Sequence, residues 1–222
     1  MIATALVAFT LGGLATWPLI RRLQHRLTDA IWQLEHDPLT GLLNRAGLLT
    51  AHATLSRAGD AGPIMVVLID LDDFKPVNDT HGHDRGDEVL AQIGERIHDI
   101  ATLHGGIAAR LSGDEYAALL PALTADPARI GDTFVTLIAQ PVELGADCGP
   151  VTVTASVGLA LVEATDPVQE MALRRADIAM YHAKQHGNRH RLYEPGMAMP
   201  AGDRRRGPRL RDRAALNGKA TA

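Results

Sequence analysis

The chain lacks the features that mark several common protein classes. Its 222 residues contain a single cysteine, Cys148, which rules out an intramolecular disulfide framework and a thiolate metal cluster. The net charge is −4, whereas domains that bind polymeric nucleic acid are normally basic. There is also no G-x-x-x-x-G-K-[ST] motif, so a P-loop does not hold phosphates. This composition favours one compact domain in a reducing compartment, without nucleic acid as a partner.

The N-terminal segment carries no charged side chain over residues 1–20 and is followed at once by Arg21 and Arg22. At about 1.5 Å per residue a helix of this length spans roughly 30 Å, one hydrocarbon core. The sequence therefore predicts a single-pass anchor in the inner or plasma membrane, with the rest of the chain cytoplasmic because arginines follow the span. A cleavable signal peptide is the alternative, but the segment lacks a positive leading region and a clear small-x-small cleavage site.

A linker helix is expected over residues 21–36, because apolar residues recur there at steps of three and four. The apolar positions are Ile20, Leu23, Leu27, Ile31 and Leu34. This spacing forms one stripe along a helix, as in the seam of a parallel dimer. A short amphipathic linker that packs on its own domain has the same pattern, and two heptads do not separate the two interpretations.

Residues 37–195 have the pattern of one α+β domain. In chain order the expected elements are a helix over 45–56 with Asn44 as its N-cap, a buried strand over 64–69, a helix over 86–103, a hairpin of strands 107–111 and 116–120, a helix over 127–139, a half-buried strand over 151–159, a helix over 167–186 and a short strand over 191–193. This order suits a ferredoxin-like, mainly antiparallel sheet with helices on one face. Residues 196–222 are Gly-, Pro- and Arg-rich and predict a disordered basic tail.

Three carboxylates are expected to meet at one edge of this sheet. Asp70 ends the buried strand, and the hairpin turn carries Asp114 and Glu115. Such a group would repel itself without a cation, and hard oxygen ligands select Mg²⁺ or Mn²⁺. Two such ions about 3.5–4 Å apart can stabilise the entering and leaving oxygens of a phosphoryl transfer. An ordinary acidic β-turn is the alternative interpretation.

Lys184 is the candidate that replaces a P-loop lysine. Asp177, Tyr181 and Lys184 follow one another at steps of four and three, so they share one face of the last predicted helix. The ammonium of Lys184 could then point at the carboxylate edge and meet phosphate. A solvated surface lysine is the alternative.

Three separated motifs resemble those of the GGDEF family of diguanylate cyclases. They are DPLTGLLNR at 37–45, DLDDFKPVNDTHGHDRGDEVL at 70–90 and RLSGDEY at 110–116. VTASVGLA at 153–160 and DIAMYHAKQHGNR at 177–189 extend the likeness, which covers about 37–193. The family signature is present in the variant form SGDEY.

The resemblance implies a palm-type GGDEF fold that condenses two GTP molecules into cyclic di-GMP and releases two pyrophosphates. Each protomer of a homodimer would hold one GTP, and the 3′-hydroxyl of one nucleotide would attack the α-phosphate of the other. It further implies that Asp70, Asp114, the Leu71 carbonyl and Glu115 hold the metal. Asp114 or Glu115 would help to deprotonate the attacking hydroxyl.

The resemblance also implies a set of substrate-binding residues: Asn78 and Asp87 on guanine, Lys75 and Lys184 on phosphate, His83 near the base, and Gly113 at the close approach to the nucleotide. A carboxylate accepts hydrogen bonds from N1–H and the exocyclic amine of guanine, and an amide can pair with O6. Without the surrounding motif, Asn78 would be interpreted as a turn residue and Asp87 as a first-turn helix acid.

The chain departs from the family signature pattern at three positions. Ser112 replaces a glycine, which would cost roughly 1–2 kcal/mol at positive φ. Tyr116 replaces a phenylalanine and adds a hydroxyl that needs a partner. Asn188 stands where many members carry an arginine, a bidentate phosphate donor. These departures leave open a catalytically degenerate domain that binds GTP or cyclic di-GMP and regulates a partner.

The family's inhibitory product site, an Arg-x-x-Asp motif, corresponds here to Leu103, His104, Gly105 and Gly106. No fork donor and no carboxylate remain at these positions. We therefore expect this form of product inhibition to be absent.

Overall fold

The structure is a computed structural model that describes residues 2–57, 62–122, 126–145, 148–185 and 189–199. The helices are α1 (Ile2–Glu35), α2 (Arg45–Arg57), α3 (Phe74–His81), α4 (His83–Leu103), α5 (Pro127–Ile138) and α6 (Leu173–Gln185), which a π-helical turn (Val168–Ala172) precedes. The strands are β1 (Ile64–Leu71), β2 (Ile107–Ser112), β3 (Glu115–Pro121), β4 (Val142–Glu143), β5 (Pro150–Val151), β6 (Ala155–Val162) and β7 (His190–Leu192).

Five strands form the main sheet, in the order β2-β3-β1-β6-β7. Neighbouring strands are antiparallel except for β6 and β7, which are parallel. β1 is central and buried along its whole length, which explains the unbroken apolar run that predicted it. The expected palm-type α+β fold with a mainly antiparallel sheet is confirmed.

Helices cover both faces of this sheet, so the expectation of helices on one face was wrong. Side chains of β1 alternate between two clusters: Val67 lies with residues of α4 and α5, and Val66 lies with residues of α2 and α6. A central strand that is apolar at every position needs cover on both sides. The sequence of β1 therefore already contained the signal for helices on both faces.

Helix α3 was not predicted, and α4 begins three residues earlier than expected. Pro76 lies in the first turn of α3, where a proline is tolerated because its missing N–H has no helical partner there. Gly82 separates the two helices with a φ of 84°. That conformation suits glycine and allows a second helix to start at once.

The half-buried strand expected over 151–159 divides into two strands. β5 pairs with β4 in a separate two-stranded sheet. β6 belongs to the main sheet and is buried at every position except Leu161. The alternation of small polar and apolar residues in β6 suggested that one face of the strand is exposed to solvent. Ser156 and Gly158 are, however, small enough to lie under packed helices.

The linker helix expected over 21–36 is the C-terminal half of α1. Leu23, Leu27 and Leu34 are 58%, 62% and 70% exposed, so the stripe does not pack on its own domain and that alternative is wrong. Among the described helices, none is long and apolar enough to cross a bilayer. The predicted disordered tail lies, from residue 200 onward, outside the described residues.

Candidate active site

Two carboxylate residues lie opposite each other on neighbouring strands at the end of β1. Asp70 of β1 is paired in register with Glu115, the first residue of β3. The backbone N–H of Leu71 donates to the carbonyl of Asp114 at 3.2 Å, so the β2–β3 turn is attached directly to the end of β1. The sequence expectation that Asp70, Asp114 and Glu115 meet at one sheet edge agrees with this arrangement. We call Asp70, Asp114 and Glu115, together with the backbone of Leu71, the carboxylate edge.

Lys184 of α6 reaches the carboxylate edge. Its Nζ contacts Oδ2 of Asp70 directly, in an ion pair between residues 114 positions apart. Asp70 is only 8% exposed, the one buried acidic residue in the described part of the chain. A buried carboxylate is costly without a compensating positive charge, and Lys184 supplies one. The helical spacing of Asp177, Tyr181 and Lys184 thus predicted the direction of the ammonium correctly.

The turn between β2 and β3 is built around Gly113, whose φ is 51°. Glycine adopts this conformation without a steric penalty. Ser112 does not share it, because Asp73 is the one non-glycine residue with positive φ in the described ranges. The strain that a serine could have introduced is therefore absent. Instead, Oγ of Ser112 donates a hydrogen bond to Oε2 of Glu115 at 3.1 Å.

Arg110 joins this turn to the segment that precedes α2. Its Nε donates to the Gly113 carbonyl at 2.9 Å, and its Nη1 donates to Oδ1 of Asp37 at 3.0 Å. The same oxygen of Asp37 accepts from the N–H and the hydroxyl of Thr40. Burial acts to raise the pKa of Asp37, but these hydrogen bonds and the Arg110 charge outweigh it and hold that pKa below its usual value. The sequence analysis identified the motifs that contain Asp37 and Arg110 but did not predict the contact between these two residues.

Tyr116 provides a second link, between the hairpin and α4. Its ring is fully buried, and its hydroxyl donates to the Leu90 carbonyl at 2.8 Å. Burial raises the pKa of Tyr116, so the phenol stays protonated and remains a donor. The added hydroxyl therefore has the acceptor it needs. Asn188, the third departure from the family pattern, lies outside the described residues.

The residues expected to select guanine lie on α3 and α4, on either side of Gly82. Oδ1 of Asn78 lies so close to Gly86 that a Cβ there would collide with it. Gly86 thus allows Asn78 to pack on the first turn of α4. Asp87 follows immediately and its side chain is exposed.

Two further predicted substrate residues are exposed and lie near the same two helices. His83 is the first residue of α4. Nζ of Lys75, on α3, lies 3.6 Å from Oδ2 of Asp79 on the same helix, and the Lys75 side chain is 86% exposed. Both are accessible to a ligand, but the structure records no direct contact from Lys75 to the carboxylate edge.

Sequence reasoning missed Asp72, two residues beyond Asp70. Its carboxylate accepts hydrogen bonds from the hydroxyls of Thr154 at 2.9 Å and Ser156 at 2.7 Å, and its N–H donates to the Thr154 carbonyl at 2.8 Å. Asp73, the next residue, has a φ of 49°, a conformation uncommon outside glycine. The three bonds of Asp72 anchor this loop to β6. The alternating hydroxyl residues before β6 were the available signal.

The donor atoms of the carboxylate edge suit a hard divalent cation that arrives with phosphate. Asp70, Asp114 and Glu115 offer carboxylates and Leu71 offers a carbonyl, which are oxygen ligands of the type that Mg²⁺ and Mn²⁺ prefer. Within the described ranges, no three acidic, histidine or cysteine side chains are gathered closely enough to hold a metal alone. Mg²⁺ commonly uses one or two carboxylates and completes its coordination with water and substrate phosphates. The residues fit that arrangement.

Fold and site together define a palm-type α+β domain with an acidic hairpin turn. The family model described as "Diguanylate cyclase, GGDEF domain" matches residues 34–190, so the chain belongs to this family. The chain is 37% identical over 182 residues to diguanylate cyclase TpbB of Pseudomonas aeruginosa, with 79% of this chain and 40% of the relative covered. It is 35% identical over 187 residues to diguanylate cyclase DgcP of Escherichia coli, with 82% and 53% covered. The chain thus spans about half the length of these relatives or less.

Solved structures show the same architecture. The coiled coil and GGDEF domain of DgcB from Caulobacter crescentus, in complex with c-di-GMP, superposes with a TM-score of 0.66 at 25% identity, covering 81% of this chain and 95% of that one. The GGDEF domain of TpbB, also called YfiN, from Pseudomonas aeruginosa gives a TM-score of 0.61 at 35% identity, covering 72% and 94%.

Proposed function

We propose that this protein is a diguanylate cyclase that condenses two GTP molecules into cyclic di-GMP and releases two pyrophosphates. The observation that carries the proposal is the carboxylate edge, where Asp70 and Glu115 lie opposite each other and Lys184 supplies a positive charge. Acids that suit a divalent cation, beside a lysine that suits phosphate, are the groups that phosphoryl transfer requires. Relatives named diguanylate cyclases support the same activity.

In the proposed reaction the 3′-oxygen of one GTP forms a bond to the α-phosphorus of the other, and the bond to pyrophosphate breaks. Asp114 or Glu115 accepts the proton of the attacking hydroxyl. Asp70, the Leu71 carbonyl, Asp114 and Glu115 would hold Mg²⁺ or Mn²⁺, which when bound neutralises phosphate charge. Repetition of the step on the second nucleotide closes the ring.

Substrate recognition is assigned to residues on three helices and the turn. Asn78 and Asp87 bind the guanine edge, and His83 lies near the base. Lys75 and Lys184 bind phosphate oxygens. The missing side chain of Gly113 permits the nucleotide to approach the turn.

Catalysis by this route requires a homodimer, because each protomer holds one of the two reacting nucleotides. The exposed apolar stripe of α1 supports pairing with a second copy of the chain. Its residues Leu23, Leu27 and Ile31 are each at least 48% exposed and recur at the spacing of a coiled-coil seam. Sedimentation of the full chain beside a Leu23→Glu, Leu27→Glu variant tests this, and an unchanged dimer would exclude the stripe as the seam.

Attachment to the inner or plasma membrane through residues 1–20, with a cytoplasmic domain, stays a prediction. Fractionation of cells that express the full chain or a chain without residues 1–20 tests it. Equal distribution of both proteins between membrane and soluble fractions would contradict it.

Chromatographic analysis of products tests the activity. The full chain with GTP and Mg²⁺ should form cyclic di-GMP, and ATP should form no product. Asp114→Asn should reduce turnover roughly 100-fold or more, since a positioned general base contributes about 10²–10⁴-fold and this residue is also a metal ligand in the proposal. Absence of product while GTP binds would instead favour the degenerate regulator.

The degenerate regulator was suggested by Ser112, Tyr116 and Asn188. Ser112 is unstrained and Tyr116 has its acceptor, so these two positions no longer favour it. The regulator nevertheless stays the alternative that the product assay decides.

A further inference from the structure

The ion pair between Lys184 and Asp70 involves a carboxylate that is also a predicted metal ligand. The side chain of Asp70 is 12% exposed and that of Lys184 is 32% exposed, so water screens the pair only partly. Glu115 lies opposite Asp70 on β3, and Ser156 lies opposite it on β6. In this arrangement Lys184 neutralises the charge that a cation would otherwise neutralise.

We propose that Lys184 is the counter-ion of Asp70 and thereby opposes the binding of a divalent cation that arrives without a nucleotide. The inference rests on the proposed function for the identity of the nucleotide, but the contact on which it depends does not. Lys184 would then have two acceptors in succession: the Asp70 carboxylate before a nucleotide binds and a phosphate oxygen afterwards.

The argument follows from competition between two cations for one carboxylate. A divalent ion that approaches Asp70 alone meets the Lys184 ammonium, and expelling that ammonium without a new partner costs the energy of the ion pair. A triphosphate offers Lys184 a replacement acceptor of higher charge. The cation and the nucleotide therefore enter favourably only together, as one complex.

The expected size of the effect comes from the response of a carboxylate to a neighbouring positive charge. Two positive charges held about 4 Å apart at a partly screened site repel each other enough to weaken binding of the second one about tenfold or more. A divalent cation competes with Lys184 for the same carboxylate. Removal of the Lys184 charge should therefore tighten metal binding in the absence of nucleotide by about tenfold or more.

The experiment measures Mn²⁺ binding to the full chain without nucleotide, by electron paramagnetic resonance of the free ion. Lys184→Met, which keeps a flexible side chain of similar length and removes its charge, should bind Mn²⁺ about tenfold more tightly than the wild type. Lys184→Arg keeps the charge and should bind as weakly as the wild type. Arg57→Met removes an exposed positive charge at the end of α2 and should leave Mn²⁺ binding unchanged. Unchanged or weaker binding by Lys184→Met would overturn the proposal.

Thermal unfolding gives a second readout in case loss of the ion pair with Asp70 destabilises Lys184→Met. A ligand that binds only the native state raises the free energy of unfolding by RT ln(1 + [L]/Kd), so the tighter binder is stabilised more at the same ligand concentration. Mn²⁺ alone should raise the melting temperature of Lys184→Met more than that of the wild type. An equal rise in both would refute the counter-ion role. Neither readout involves GTP turnover, so failure of the cyclase assay and failure of this inference are distinguishable.

Discussion

Two segments in the described part of the chain depart from the family pattern, and the structure accommodates them differently. The first is the turn over 112–116, where each described new side chain has found a hydrogen-bond partner. The second is the segment over 103–106, where the residues expected for product binding are absent and Gly106 packs tightly against β3. A Cβ at Gly106 would collide with the Leu119 carbonyl and with Leu120. The new side chains of the turn are therefore accommodated by hydrogen bonds. A side chain restored at Gly106 would instead collide with β3.

The comparison shows that the structural effect of exchanging a glycine with another residue depends on the local backbone conformation and packing. Ser112 adds a side chain where φ is not positive and where Glu115 accepts a hydrogen bond from its hydroxyl. Gly106 removes a side chain where β3 leaves no room for one. Sequence alone shows both as exchanges of glycine with a small or polar residue.

Restoration of the family residue at Gly106 should have the largest effect. Gly106→Asp should lower the free energy of unfolding by about 1–3 kcal/mol, because overpacking forces neighbouring atoms apart. Chemical denaturation measures this. Leu103→Arg, at a position 80% exposed, is the matched control and should stay within about 0.5 kcal/mol. The double variant Leu103→Arg, Gly106→Asp should not become inhibited by cyclic di-GMP. Strong noncompetitive inhibition would show that the segment can rearrange to accommodate the aspartate.

Removal of the Asp37 charge tests whether the turn depends on its connection to Arg110. Asp37→Asn should cost about 1–2 kcal/mol at neutral pH, since hydrogen bonds to charged groups contribute more than neutral ones. The pKa of Asp37 is lowered in the folded protein from its ordinary 3.8, so its contribution is present above that pH and is lost as the pH falls through the folded pKa. The difference between variant and wild type should shrink below about pH 4. A difference independent of pH would exclude the charge as its source.

Tyr116→Phe converts the signature to the family residue and should have a smaller effect. Loss of the hydrogen bond to Leu90 should destabilise the fold by roughly 0.5–1.5 kcal/mol. The change should not raise turnover, because the hydrogen bond of the hydroxyl goes to Leu90 of α4 and not to a residue of the carboxylate edge. A stability gain in urea denaturation would mean that the hydroxyl is strained in the native state.

Ser112→Gly should have the smallest effect of these changes. The hydrogen bond to Glu115 is exposed, and glycine adds freedom to the unfolded chain, so a loss of about 0.5–1 kcal/mol is expected. Ser112→Ala separates the two causes, because it removes the hydroxyl without adding that freedom. A loss above 2 kcal/mol in Ser112→Ala would show that Ser112 supports the turn more strongly than its one bond indicates.

Local sequence signals predicted the local structure well. Asn44 was expected to cap α2, and its Oδ1 accepts from the Gly47 N–H at 3.0 Å. The apolar run of β1 and the spacing of Lys184 on α6 were also sufficient, because each depends on residues close in the chain. The same holds for the hairpin, whose strands differ from the prediction by one residue at most.

Properties that depend on distant residues were not accessible in this way. Arg110 and Asp37 are 73 positions apart, and no local pattern connects them. The φ of Ser112 depends on how the turn is attached to β1. The bonds of Asp72 cross from one strand end to another, 82 and 84 positions away. These contacts decide whether the signature variant is tolerated, so the structure was needed to interpret it.

The complete burial of β1 has a consequence for the timescales of motion in the site. Amide protons of a central strand usually exchange with solvent only through global unfolding, whereas those of an exposed turn exchange through small local openings. We therefore expect Asp70 to lie in the slowly exchanging part of the molecule and Asp114 in the rapidly exchanging part. A ligand that binds to both should slow hydrogen exchange in the turn and leave exchange in β1 unchanged.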